Sequence, residues 1–222
     1  MTRPLALLRP EPGWRASAAA ARRLGLEVVG APLFAAEPVA WQPPPGPFDA
    51  LLLGSAAALR HAGPGLSRYA RLPVQAVGAA TAMDARAAGF AVDRIGTSNL
   101  QALLDEEAQR PLRYLRLCGE DRTPLAPHSG QRITECVVYR MAPQPLDPAI
   151  LERQPLVALH SAVAARHFAG EVDRLGIART RLSLVALAPR IAAAAGRGWA
   201  AIHIADTPDD PALLAKALTL CK

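Results

Sequence analysis

The stretch LLLGSAAALRHAG, beginning at Leu51, is written a second time in altered form as ALHSAVAARHFAG, beginning at Ala158. Each copy is a short apolar run, a serine, an alanine-rich helical stretch and then a glycine, Gly63 or Gly170. The likeness continues. VQAVGAATAMDARAAGF followed by SNLQALLDEEA aligns with LSLVALAPRIAAAAGRGW followed by DPALLAKAL. A duplication of that length, at similar spacing throughout, predicts two domains of like architecture built from strand–helix units.

Ten short apolar runs alternate with helical stretches, the pattern of parallel sheets with helical crossovers. They are LALL (5–8), EVVGAPLF (27–34), DALLLG (49–54), VQAVG (74–78), AVDRIG (91–96), YLRLCG (114–119), ITECVVY (133–139), PLVALH (155–160), LSLVAL (182–187) and AAIHIA (200–205). Two proline-rich segments, WQPPPGP (41–47) and APQPLDP (142–148), cannot continue a helix or a central strand and read as linkers. Five runs lie between them and five outside. The expected organisation is an outer discontinuous α/β domain of residues 1–34 plus 152–222, interrupted by an inserted α/β domain of residues 48–139, with linkers at 35–47 and 140–151.

A chain of 222 residues with 51% hydrophobic content has ample material for both cores. No apolar run approaches the roughly 18 residues that a membrane span needs, and the N-terminal apolar stretch is too short for a signal peptide. Cys118, Cys136 and Cys221 form no CxxC motif and read as free thiols of a reducing, cytoplasmic compartment. The formal charge is +6, with Lys216 and Lys222 the only lysines among 25 basic residues. Scattered arginines and 5% aromatic content argue against nucleic acid as a partner, while a guanidinium fork suits carboxylates. The charge is uneven: residues 48–139 hold ten arginines against nine acidic residues, and the rest of the chain carries the remaining excess.

Ser55, Thr81 and Ser161 each fall where a strand turns into a helix. Capping alone accounts for a hydroxyl there, yet the outward amides of a helix start also receive anions. Sheets of this kind bind ligands beyond the carboxyl ends of their strands, so the repeated corners are expected on the walls of one cleft. The sequence has no GxGxxG, GxxxxGK[ST], GxSxG or HExxH motif. His160 and His167 lack the spacing of a metal site, and Cys118 lacks a charged partner that would make it a thiolate.

LLRPEPG near the start, FDALLLGSAAAL, VQAVGAATAMDARAAGF, YLRLCGEDR and ECVVYR occur in that order. Together they resemble the uroporphyrinogen-III synthase family across nearly the whole chain. The resemblance implies a pair of flavodoxin-like parallel-sheet domains joined by a two-stranded linker, one inserted in the other. It also implies a cytoplasmic monomeric lyase that closes hydroxymethylbilane with inversion of ring D, through an azafulvene and a spiro intermediate. Neither metal nor organic cofactor is implied, and the partners are the octacarboxylate substrate and, transiently, the preceding pathway enzyme, with no nucleic acid or membrane.

Carried over by position, Tyr139 of ECVVYR matches the tyrosine proposed to help the hydroxyl depart. Arg9 matches the N-terminal arginine, and Ser55, Thr81 and Ser161 match polar corner positions that bind substrate. The second half departs from the pattern at VALAPRIAAA: Ala188 replaces a glycine, and Arg190 and Ile191 replace small polar residues. Either Arg190 supplies a contact to a substrate carboxylate or that corner has lost binding. Two other readings stay open at this point: a non-catalytic paralogue that binds a tetrapyrrole or another polyacid, and a sugar- or nucleotide-binding module of the same fold.

Overall fold

A computed structural model describes residues 3–222, and these separate into two compact units. Unit 1 combines the chain up to Ala35 with Pro143–Lys222, and unit 2 is the continuous segment Ala36–Ala142. In unit 1, β1 (Leu5–Leu7), α1 (Gly13–Arg23) and β2 (Val28–Val29) come from the N-terminal part. After β3 (Phe34–Pro38), unit 2 continues with β4 (Ala50–Leu53), α2 (Ala56–His61), β5 (Val74–Val77), α3 (Ala79–Ala87), β6 (Val92–Gly96), α4 (Leu100–Glu106), β7 (Arg113–Gly119) and β8 (Arg132–Pro143). Unit 1 is completed by β9 (Leu156–Leu159), α5 (Ala162–Arg174), β10 (Ser183–Ala186), α6 (Pro189–Ala195), β11 (Ala201–Ile204) and α7 (Asp210–Leu220).

The unit 1 sheet has the order β11-β10-β9-β1-β2, with every pairing parallel. The unit 2 sheet has the order β3-β8-β7-β4-β5-β6, parallel from β8 to β6. Laid over each other, β9, β10, β11, β1 and β2 take the places of β4, β5, β6, β7 and β8. The duplication seen in the sequence is therefore a circularly permuted pair of sheets. β3 is the exception: Val39 N–H donates to Val138 O (3.0 Å) and Gln144 N–H to Leu33 O (2.8 Å), so it runs antiparallel to β8.

The central apolar runs are strands because both of their faces are covered. On β4 and β7, Leu51, Leu53, Leu115 and Leu117 pack with α2 and α3, while Ala50, Leu52 and Tyr114 pack with α4 on the other face. Unit 1 repeats this, with Ala6 and Leu8 towards α5 and α6 and Leu5 and Leu7 towards α1 and α7. Full burial of each such leucine contributes about 1.5–3 kcal/mol. Unit 2 also buries Glu107, which accepts hydrogen bonds from Gln75 Nε2 (2.7 Å) and the Tyr114 hydroxyl (2.9 Å) and pairs with Arg94 (3.0 Å) and Arg110.

Two boundaries differ from the sequence expectation. The run 27–34 is not one strand: it breaks between β2 and β3, at Gly30, where φ is +99° and an added Cβ would lie 2.6 Å from Leu7 O. The seventh run continues past Tyr139 to Pro143, because β3 pairs with its extension; proline is tolerated at such a strand end.

The two units also differ in one connection. α1 joins β1 to β2, but residues 120–131, EDRTPLAPHSGQ, form no helix between β7 and β8. Pro124 and Pro127 lie inside that segment and each would break a helical ladder.

Candidate functional site

A cavity of about 600 Å³ opens in unit 2 at the carboxyl ends of β4 and β7, with the missing helix's place taken by residues 121–125 on its wall. β4 and β7 are the strands between which the order of unit 2 reverses, the position where open α/β sheets bind ligands. Ser55, Asn99, Gln101, Arg116, Arg122 and Tyr139 are among the residues that supply polar groups to its wall. Ser55 caps α2, its Oγ accepting from Ala57 N–H at 3.2 Å, and Asn99 caps α4, its Oδ1 accepting from Ala102 N–H at 2.9 Å.

Tyr139 is placed by a register shift. Cys118 pairs with Val137 but Gly119 pairs with Tyr139, so β8 carries an extra residue there. The phenol ring then lies against Gly119, where an added Cβ would be 2.7 Å from Cζ and 3.0 Å from the hydroxyl. His61 stands 6.1 Å away, ring centre to ring centre. The hydroxyl of Tyr139 makes no hydrogen bond among the described residues, and Tyr139 lines the cavity.

In unit 1 the aligned positions hold a polar cluster. Aligning Ser55 with Ser161 puts His160 at the place of Gly54, and the strand registers put Arg9 at the place of Cys118. Asp210 falls at the place of Leu100. These three unit 1 residues bond to one another: His160 Nε2 lies 2.8 Å from Asp210 Oδ1, and Arg9 Nη1 lies 3.3 Å from the same oxygen. Ser17 of α1 donates to Asp210 Oδ2 (2.7 Å) and accepts from Arg9 (2.9 Å). Burial is the main influence on His160 and pushes its pKa down, outweighing the carboxylate beside it. Arg9 is thus engaged within its own unit.

The other sequence-derived positions separate. Ser161 caps α5, accepting from Ala164 N–H at 3.1 Å. Thr81 is not at the corner itself: it is the third residue of α3, buried, aligned with the buried Ile191 of α6, and it does not line the cavity. The cap of α3 is Gly78 at φ +79°, whereas Ala188 caps α6 in extended backbone at φ −157° before Pro189. Arg190 is exposed in the first turn of α6 and forms no ion pair among the described residues. Of the residues singled out in the sequence, Ser55 and Tyr139 meet at one cavity. Arg116, Arg122 and Asn99 also line it; Asn99 was legible as a cap before an apolar run, but the arginines carried no local signal. No group of three metal-ligating side chains occurs among the described residues, nor any helix long and apolar enough to cross a membrane.

A duplicated parallel α/β scaffold with a polar cavity at a topological switch point defines a small-molecule-binding protein or enzyme of the doubly wound class. A family model described as uroporphyrinogen-III synthase HemD matches residues 15–215. The chain belongs to the uroporphyrinogen-III synthase family. Members are cyclising lyases of haem biosynthesis whose substrate is hydroxymethylbilane. Among solved structures, uroporphyrinogen-III synthetase from Helicobacter pylori shares the fold, with 17% identity, a TM-score of 0.62 and coverage of 98% of this chain and 99% of that one. A mutant uroporphyrinogen III synthase from the extreme thermophile Thermus thermophilus gives 18% identity and a TM-score of 0.48, over 98% and 99% of the two chains. No curated protein matches the sequence significantly.

Proposed function

We infer that this chain turns hydroxymethylbilane into uroporphyrinogen III and that the unit 2 cavity holds the reacting end of the substrate. The observation that carries this is Tyr139, which lines a cavity of about 600 Å³ and whose hydroxyl has no protein partner among the described residues. A phenol so placed can hydrogen-bond the hydroxymethyl oxygen as it leaves. Departure of hydroxide with one proton gives water and an electrophilic azafulvene. Ring D then attacks through its substituted α-carbon to form the spiro intermediate, which fragments and recloses inverted, and loss of the α-proton restores the pyrrole.

The pyrroles are themselves electron-rich, so the protein's main contribution is to hold the folded geometry, with proton transfer second. In this reading Ser55 orients a polar arm of the substrate at the cavity mouth. Arg190, exposed and without an ion pair among the described residues, offers its fork to a carboxylate, and Arg9 and Ser161 bind substrate at the unit 1 corner. The two sheets are then flavodoxin-like, which the order 2-1-3-4-5 along unit 1's own chain supports, with the β3–β8 pair as the two-stranded connection. The enzyme acts as a cytoplasmic monomer on a substrate whose eight carboxylates keep it in water.

Supplying freshly generated hydroxymethylbilane and separating the type I and type III products tests the proposal. Type III product is expected; type I alone, at the spontaneous rate, would overturn it.

A further inference from the structure

Arg116 points to a binding function that the duplication makes visible. Its aligned residue in unit 1 is Leu7, fully buried with α1 and α7 on that face of the sheet. In unit 2 the helix corresponding to α1 is missing, and the aligned arginine lines the cavity. Only 6% of the Arg116 side chain is exposed. Nη1 donates to Glu135 Oε1 at 2.6 Å, directly across the ladder on β8, while Nε is buried with no partner.

Glu135 cannot satisfy the rest, because Arg122 takes its other oxygen at 2.7 Å. Burial works against the Glu135 carboxylate, but the bonds from Arg122 and Arg116 outweigh it and hold its pKa below the ordinary value. One carboxylate is therefore shared by two guanidinium groups, and both line the cavity. The triad carries one positive charge in excess. Asp121 on the same wall is exposed and forms no ion pair among the described residues. A buried, charged donor left open costs free energy that an incoming carboxylate recovers, and the planar fork favours that shape of acceptor.

We propose that Arg116 binds a carboxylate of the ligand inside the unit 2 cavity, with Glu135 holding the guanidinium in place and Arg122 balancing Glu135. The proposal rests on the cavity being the hydroxymethylbilane site, and it adds a specific anchor for one of the substrate's acidic arms. Neutral analogues lacking that arm would leave Nε unpaired and bind weakly.

The test is the affinity for uroporphyrin I, an unreactive octacarboxylate, read by fluorescence in the wild type, Arg116→Met and Arg116→Lys, alongside melting temperatures. Arg116→Met is expected to weaken binding roughly ten- to a hundredfold, the range for a charged hydrogen bond. It should also flatten the dependence of affinity on salt. Arg116→Lys keeps a charge facing Glu135 but lacks the fork, and should still lose several-fold in affinity while remaining folded. Unchanged affinity in either folded variant overturns the proposal, as does a fall in melting temperature with binding intact. Since this readout needs no turnover, loss of binding in the variants would sustain Arg116 even if the wild type made no type III product.

Discussion

Asp210 in unit 1 and Leu100 in unit 2 hold the same place, each directly after the residue that caps the closing helix of its unit. The caps are Asp209, accepting from Ala212 N–H at 2.9 Å, and Asn99, accepting from Ala102 N–H at 2.9 Å. With His160 for Gly54 and Arg9 for Cys118, this difference gives unit 1 an ion-paired cluster where unit 2 has an apolar side chain on a cavity wall. In unit 1 the aspartate draws in Arg9, His160 and Ser17; in unit 2 the aligned leucine faces a cavity.

That cluster makes stability depend on pH. The pKa of His160 is lowered from 6.5 in the fold, chiefly by burial, so the unfolded chain takes up its proton first as pH falls. The contribution is complete above about pH 6.5 and declines as the pH drops from there towards the lowered native value. Urea midpoints at pH 7.5 and 5.5 should therefore differ more in the wild type than in His160→Gln. Equal differences would show that His160 protonates in the fold as freely as in solution.

Tyr139→Phe keeps the ring that packs on Gly119 and removes the hydroxyl. Turnover should fall about tenfold with melting temperature unchanged, below the ~10²–10⁴-fold typical of general acids because the leaving step is assisted by the pyrrole nitrogen. Steady-state kinetics with type III product quantified is the measurement. Wild-type turnover would assign Tyr139 to packing.

Arg190→Ala should raise KM about tenfold and leave kcat and stability unaltered, as expected when a solvated side chain gives up one charged hydrogen bond. The KM should become less sensitive to salt. Identical kinetics across salt concentrations would make Arg190 a solvated surface charge.

The α3 and α6 corners should respond unequally to small substitutions. Gly78→Ala places a side chain at φ +79°, ψ 149° with open space around it, so the cost is conformational alone, about 1–3 kcal/mol. Ala188→Gly, in extended backbone, should cost under about 1 kcal/mol through the freer unfolded chain. Chemical denaturation of both variants measures the difference, and equal losses would contradict the backbone reading.

Much of this architecture was legible because strands buried on both faces spell themselves as short apolar runs, and nine of the ten runs each hold a single strand, 27–34 being divided between two. What was lost was where a run changes partner: EVVGAPLF is continuous in hydrophobicity, and the break at Gly30 depends on the approach of Leu7 O. Ser55 and Ser161 were readable as caps, since capping is a local signal. Thr81 was read as a corner residue, but Gly78 is the cap and the threonine lies buried in the first turn of α3. Arg116 was hidden for the reason that makes it informative: its surroundings come from β8 and from a loop that replaces a helix, and neither leaves a mark within a few residues of it.

The insertion of unit 2 also sets an order of assembly during synthesis. β1 lies between β2 and β9, and β9 is not made until after the whole of Ala36–Ala142 has been translated. Leu5, Ala6 and Leu7 thus remain without their central neighbour until β9 is made, by which time every strand of the β8-β7-β4-β5-β6 array is already present. Unit 2 can complete its core first, and the N-terminal strand must wait for the last third of the chain. An early pause or truncation after residue 142 would leave one finished unit carrying an apolar ribbon at its start, a natural target for a chaperone that binds extended hydrophobic segments.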